Sequence, residues 1–158
     1  MQQGWRHPTA TEQVMQRVIE LCGTFDGEIV HSCFQNDPHS LFYKQLKWFQ
    51  FTESPDIDII PEIRSFEIPI YWRTTYSCIT DELEPVLRSS DEVFIAGVFT
   101  DISVTATAMQ LFDMGIAVSV VADAVGTLHG ADVHEAALKS LGHAIGFNRL
   151  VTADSVKR

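Results

Sequence analysis

The stretch VFIAGVFTDISVTAT, residues 93–107, passes from an apolar run through a glycine into helical spacing. Val93, Phe94, Ile95 and Ala96 read as a buried strand, residues 97–100 as a tight turn, and the residues beyond as a helix. An apolar run closed by Gly and followed by a Thr cap marks a strand-to-helix turn in an α/β sheet. With Thr100 as the N-cap, Ser103 falls in the first helical turn. Free backbone N–H groups and the positive end of the helix dipole favour an anion at that place.

The same alternation continues outward. Predicted strands over residues 92–98, 116–122 and 149–152 alternate with predicted helices over 101–114 and 132–144. Such a βαβ series implies a parallel sheet with right-handed crossovers and helices on both faces. The expected fold class is therefore α/β, a three-layer α/β/α arrangement around a mostly parallel, Rossmann-like sheet. Upstream, Val14, Val18, Ile19 and Cys22 share one face of a helix over residues 12–22, ended by Gly23. Residues 28–34 (EIVHSCF) read as a strand closed by the turn Asn36-Asp37-Pro38. Residues 54–61 read as a polar loop, 67–71 as a short strand with Pro69 at an edge or end, and 81–87 as a short helix. Phe42, Tyr43, Trp48, Phe49 and Phe51 crowd one segment. It reads as a short helix over 41–48 packed on the sheet or on a neighbouring subunit, or as one wall of a pocket for a flat ligand. No repeat or linker divides the chain, so residues 1–158 are read as a single domain.

Composition narrows the function classes. At 158 residues with 46% hydrophobic content, the chain is long and apolar enough for a packed core. A formal net charge of −10 argues against nucleic acid or an anionic membrane as partner. No run of about 18 apolar residues occurs and the first residues carry no signal pattern, so the cytoplasm is the expected location. Three cysteines, Cys22, Cys33 and Cys78, show no C-x-x-C spacing and read as reduced thiols in packed positions. Cys78 lies beside the segment carrying Arg73 and has the alternative reading of a displaced nucleophile.

Gly97-Val98-Phe99-Thr100-Asp101-Ile102-Ser103-Val104 resembles the active-site segment of the isochorismatase-like cysteine hydrolases, the superfamily that includes nicotinamidases. Thr105-Ala106 and Phe112-Asp113-Met114-Gly115 continue the register, and residues 118–124, 130–141 and 150–152 resemble the family's following strand, helix and closing strand. The resemblance covers most of the chain from about residue 27 onward. It implies the isochorismatase-like hydrolase fold, a homo-oligomer of two or more copies, and hydrolysis of a C–N or related bond in a small amide.

The resemblance also implies a triad of Cys, Lys and Asp that this chain does not spell. Ser103 stands at the nucleophile position, and Arg73, three residues before Tyr76-Ser77, stands at the Lys position. The Asp has no counterpart: Met1-Gln2-Gln3-Gly4 looks like the segment just after it, as if the first strand of the sheet were absent. Such a gap implies an upstream start, a sheet that closes up, or a segment supplied by another subunit. A serine hydroxyl needs an adjacent base, which a guanidinium does not provide. Resemblance further implies a cis peptide at Val98–Phe99, with the N–H groups of Phe99 and Ser103 turned toward the ligand. Val98, Phe99, Ser103 and Tyr76 are thus expected to form an oxyanion or ligand site opposite Arg73.

Two readings of function stay open. One is an isochorismatase-like hydrolase, catalytically impaired as written; the other is a non-catalytic relative that binds a small carboxylate or carboxamide or serves as a structural subunit. An upstream Asp would open the acid-catalysed route of the family's isochorismatase branch. No cofactor and no metal are expected. Asn36-Asp37-Pro38-His39 is only partly similar to the nicotinamidase zinc segment, and His129 and His134 are five apart, outside common ligand spacing.

Overall fold

The computed structural model describes residues 1–156 and is α/β, with parallel sheets flanked by helices. β1 (His31–Phe34) pairs in parallel with β2 (Ile70–Arg73), and β3 (Val93–Val98), β4 (Val118–Gly126) and β5 (Leu150–Val151) form a second parallel sheet in the order β3-β4-β5. The helices are α1 (Glu12–Thr24), α2 (Leu41–Lys44), α3 (Pro61–Arg64), α4 (Glu84–Arg88), α5 (Thr105–Asp113), α6 (Ala131–Ile145) and α7 (Ala153–Val156).

β4 organises the layers. Its apolar residues are mostly buried on both faces, as in a strand covered on both sides, and the two polar ones, Ser119 and Asp123, are buried and half-buried. Val118, Val120 and Val125 pack with Leu111 of α5 and with Leu141 and Ile145 of α6, whereas Val121 and Ala124 pack with Leu21 of α1 and with α7. Helices therefore cover both faces. A third cluster joins Val14, Met15 and Val18 of α1 to Cys33 of β1 and Ile60 and Ile63 around α3.

Several expected boundaries shift. α1 runs through Gly23 to Thr24, because the Phe25 N–H bonding to the Leu21 carbonyl closes the helix later. Residues 28–30 fall outside β1, since only residues from His31 onward find a partner strand. β2 starts at Ile70 rather than residue 67, and the Pro69 carbonyl just before it accepts from the His31 N–H. α2 stops at Lys44, short of residue 48, and the polar loop ends in an unexpected turn of helix begun by Pro61. Residues 81–83 belong to a turn, and α4 begins only at Glu84.

The expected gap in the sheet does not close. No hydrogen-bonded strand pair joins β1 to β3 among the described residues, and the two sheets are separate. Met1 and Gln2 instead lie against the β1 side and the 57–60 segment. Gln2 bridges Ile59, and the Met1 carbonyl accepts from the Ile60 N–H.

Candidate functional site

The carboxyl ends of β2 and β3 converge. Arg73 is the last residue of β2, and the segment after β3 brings Ser103 to it, with Arg73 Nη2 donating to Ser103 Oγ at 3.4 Å. The two residues lie thirty positions apart and are both buried, at 8% and 7% exposure. Arg73 Nε also donates to Ser32 Oγ at 3.2 Å, Nη1 donates to the Thr75 carbonyl, and the guanidinium carbon sits 5.4 Å from the centre of the Phe34 ring.

The turn after β3 departs from the expected cap. Gly97 adopts φ +119°, a conformation that side-chain-bearing residues rarely take, and the Val98–Phe99 peptide is cis. Phe99, not Thr100, is the N-cap of a π-type turn over Thr100–Val104, marked by the Val104 N–H donating to the Phe99 carbonyl at 3.0 Å. The Thr100 hydroxyl is taken by His134 Nδ1 of α6 at 2.9 Å, which removes it from capping. Thr107 Oγ1 donates to the Ser103 carbonyl at 2.7 Å and accepts from the Cys78 N–H at 2.9 Å. That pair of bonds ties the segment after β2 to the segment after β3.

Arg73, Val98 and Ser103 line a cavity of about 710 Å³ that also takes in Ser32, Cys33 and Cys78. Phe99 and Tyr76 are not part of that lining. The Phe99 ring packs edge-on against Trp5 at 4.8 Å and stacks on His129 at 5.3 Å, and the half-exposed Tyr76 meets Phe42 at 4.7 Å. The aromatic segment folds mostly on itself and on Phe34, with Phe42, Trp48 and Phe51 all within 6.3 Å of that ring. Phe49 and Leu46 of the same stretch stay exposed.

Charge at the site is one-sided. Among the described residues no carboxylate lies within ion-pair distance of Arg73, and no acid or imidazole is hydrogen-bonded to Ser103 Oγ. Burial pushes the Cys33 thiol up to about 11, despite the nearby Met1 ammonium and Arg73, so it stays protonated at neutral pH. His129 Nδ1 lies 2.7 Å from Asp101 Oδ2. Burial would raise the Asp101 pKa, but hydrogen bonds with Thr127 and His129 outweigh it and hold the carboxyl below its usual range. His129 and His134 thus fasten the π-type turn to the loop after β4 and to α6; His39 is an exposed loop residue. Among the described residues no group of three or more His, Cys, Asp and Glu could hold a metal ion.

Sequence reasoning missed Ser32, Thr107 and Gln2. Ser32 and Thr107 reach the site by hydrogen bonds across 41 and 29 positions, for which local spacing carries no signal.

Residues 1–154 match the family model of the isochorismatase domain. An isochorismatase domain-containing protein 2 of Xenopus laevis is 32% identical over 76 residues, 46% of this chain. That match spans only 37% of the relative's length. Among solved structures, an isochorismatase-like hydrolase from Alkaliphilus metalliredigens superposes with a TM-score of 0.79 at 19% identity, over 95% of this chain and 85% of its own. A nicotinamidase/pyrazinamidase from Bacillus subtilis superposes with a TM-score of 0.71 at 20% identity, over 90% of this chain and 86% of its own. At such identities the structural likeness speaks to fold alone.

Proposed function

The chain belongs to the isochorismatase family, and from that premise we propose that it is a hydrolase-type domain holding a small carboxylate or carboxamide at Arg73, with turnover impaired as the sequence stands. The observation that carries this reading is the buried Arg73 guanidinium without a carboxylate partner among the described residues. A buried cation without a counter-ion costs several kcal/mol unless hydrogen bonds or an anion compensate it. Ser32, Ser103 and the Thr75 carbonyl supply only neutral acceptors. An incoming carboxylate would supply the charge, and an amide carbonyl the acceptor, that the guanidinium lacks.

Impairment rests on Ser103. Its hydroxyl accepts from Arg73 and, among the described residues, has no base hydrogen-bonded to it that would remove its proton for attack on an amide carbon. Cys33 is protonated and is no substitute. A single continuous domain match over residues 1–154 supports one domain. Exposed Leu46 and Phe49 support assembly into a homo-oligomer, and the acidic composition suits a cytoplasmic protein.

Calorimetric titration with nicotinate and nicotinamide, paired with amide-hydrolysis assays, tests this reading. Binding is expected in the unaltered chain and should weaken about 10- to 100-fold in Arg73→Ala, the loss of a charged hydrogen bond worth ~1.5–3 kcal/mol. No ammonia release is expected from the unaltered chain, and Ser103→Cys is the variant expected to gain it. Binding indifferent to Arg73→Ala sinks the site, and rapid turnover by the unaltered chain sinks the impairment.

A further inference from the structure

The guanidinium of Arg73 is held from β1 as well as from its own strand. In the parallel register Arg73 stands opposite Phe34, and Ser32 lies two residues earlier on the same face of β1. The Arg73 side chain passes the Phe34 ring, 5.4 Å from its centre, and brings Nε within 3.2 Å of Ser32 Oγ. That distance falls inside the usual range of an N–H···O bond, whereas the 3.4 Å from Nη2 to Ser103 Oγ lies beyond it. Nη1 donates to the Thr75 carbonyl. Nε and Nη1 are thus fastened to the protein, and Nη2, on the Ser103 side, is the loosely engaged nitrogen.

Ser32 belongs to a closed circuit of contacts. A guanidinium can only donate, so the Ser32 hydroxyl accepts from Nε and turns its own proton toward the Cys78 carbonyl, a long contact of 3.5 Å. Cys78 is anchored in turn, because its N–H donates to Thr107 Oγ1 at 2.9 Å and that hydroxyl donates to the Ser103 carbonyl at 2.7 Å. Ser103 Oγ then accepts from Arg73 Nη2, which closes the ring. The orientation of the cation is in this way tied to the backbone that carries Ser103.

We propose that Ser32 is a positioning residue: by accepting from Nε it sets the roll of the Arg73 guanidinium and presents Nη2 to a ligand carboxylate beside Ser103.

This rests on the reading of Arg73 as the ligand-binding cation and adds to it what aims that cation. The Thr75 carbonyl fixes the planar fork at one nitrogen only, about which the plane can still swing. A second hold at Nε removes the swing, and a fork already oriented loses less freedom when a carboxylate arrives. Without the Ser32 hydroxyl the Nε–H has lost its acceptor, and turning to find another carries Nη2 away from Ser103.

The test reads the guanidinium and the ligand separately in the unaltered chain, Ser32→Ala and Ser32→Thr. Exchange of the Arg73 Nε–H with solvent, followed by NMR, is expected to quicken about tenfold or more in Ser32→Ala. Nicotinate affinity by calorimetry is expected to fall about 5- to 10-fold in the same variant, the loss of one hydrogen bond's worth of orientation. Ser32→Thr keeps a hydroxyl and should restore both, a rescue that a serine serving only to fill space would not show. Equal Nε–H exchange in the unaltered chain and Ser32→Ala overturns the proposal, as does equal nicotinate affinity. Ser32→Thr behaving like Ser32→Ala in both measurements overturns the role of the hydroxyl. No nicotinate binding by the unaltered chain instead sinks the reading of Arg73 as the ligand site, and the Nε–H comparison still decides whether Ser32 fixes the guanidinium.

Discussion

A guanidinium is buried beside two serine hydroxyls, Ser32 and Ser103, at the candidate site, and its surroundings bear on the proposal that Ser103 is a poor nucleophile. Arg73 can only donate, so the hydroxyl it touches receives a proton donor where attack needs an acceptor. That Arg73 and Ser103 come together was legible only through resemblance to a family motif, because thirty residues separate them and nothing local links them. Ser32, which completes the set, was not legible at all. His31, on the wall of the same cavity, carries a prediction of its own. Burial, with the Met1 ammonium nearby, lowers its pKa from 6.5 to about 4, and its Nε2 is buried without a partner. The unfolded chain therefore binds a proton that the folded one refuses between those values. Stability contributed by neutral His31 is complete above pH 6.5 and falls as pH drops toward 4. Urea unfolding at pH 7 and pH 4 should show His31→Leu losing less stability than the unaltered chain, by on the order of 3 kcal/mol. Equal losses would contradict a neutral His31 with its Nε2 buried.

Among the elements, α6 was readable from its helical apolar face and β4 from its apolar-rich sequence, although β4 spans Val118–Gly126 rather than residues 116–122. The bounds of β1, β2 and α2 drifted and α3 was missed, because four residues hold only about one helical turn or two strand repeats, and the ends of the strands are set by a partner far along the chain. The π-type turn escaped because one wider turn leaves the apolar spacing of α5 unchanged, while the competing bond of Thr100 to His134 was invisible in sequence. Packing of α1 on β4 depends on Gly126. A Cβ there would stand 2.6 Å from Val14 Cγ2, a branched and buried neighbour with little room to move. Gly126→Ala should destabilise the fold by about 1–3 kcal/mol. Adding Val14→Ala should recover part of that loss in denaturant unfolding, since the two sites are in contact. Strict additivity of the two substitutions would contradict the close approach.

The whole molecule is a layered α/β fold whose strands form two sheets with open edges facing one another, and its cavity lies where those edges and the carboxyl ends of β2 and β3 meet. Layering followed from the βαβ alternation read in the second half of the sequence. That the two sheets remain apart did not, because pairing between distant strands leaves no mark on local pattern. Among the described residues no helix is long and apolar enough to cross a membrane. With a net charge of −10 on the chain, the buried Arg73 is a local exception to the overall field, and that contrast suits a small anion better than a polyanion. The most direct test is a crystal structure of the protein soaked with nicotinate. The ligand carboxylate is expected about 2.7–2.9 Å from the Arg73 guanidinium, within reach of Ser103. A carboxylate bound elsewhere, or Arg73 found paired to an acid of the protein itself, would contradict the account.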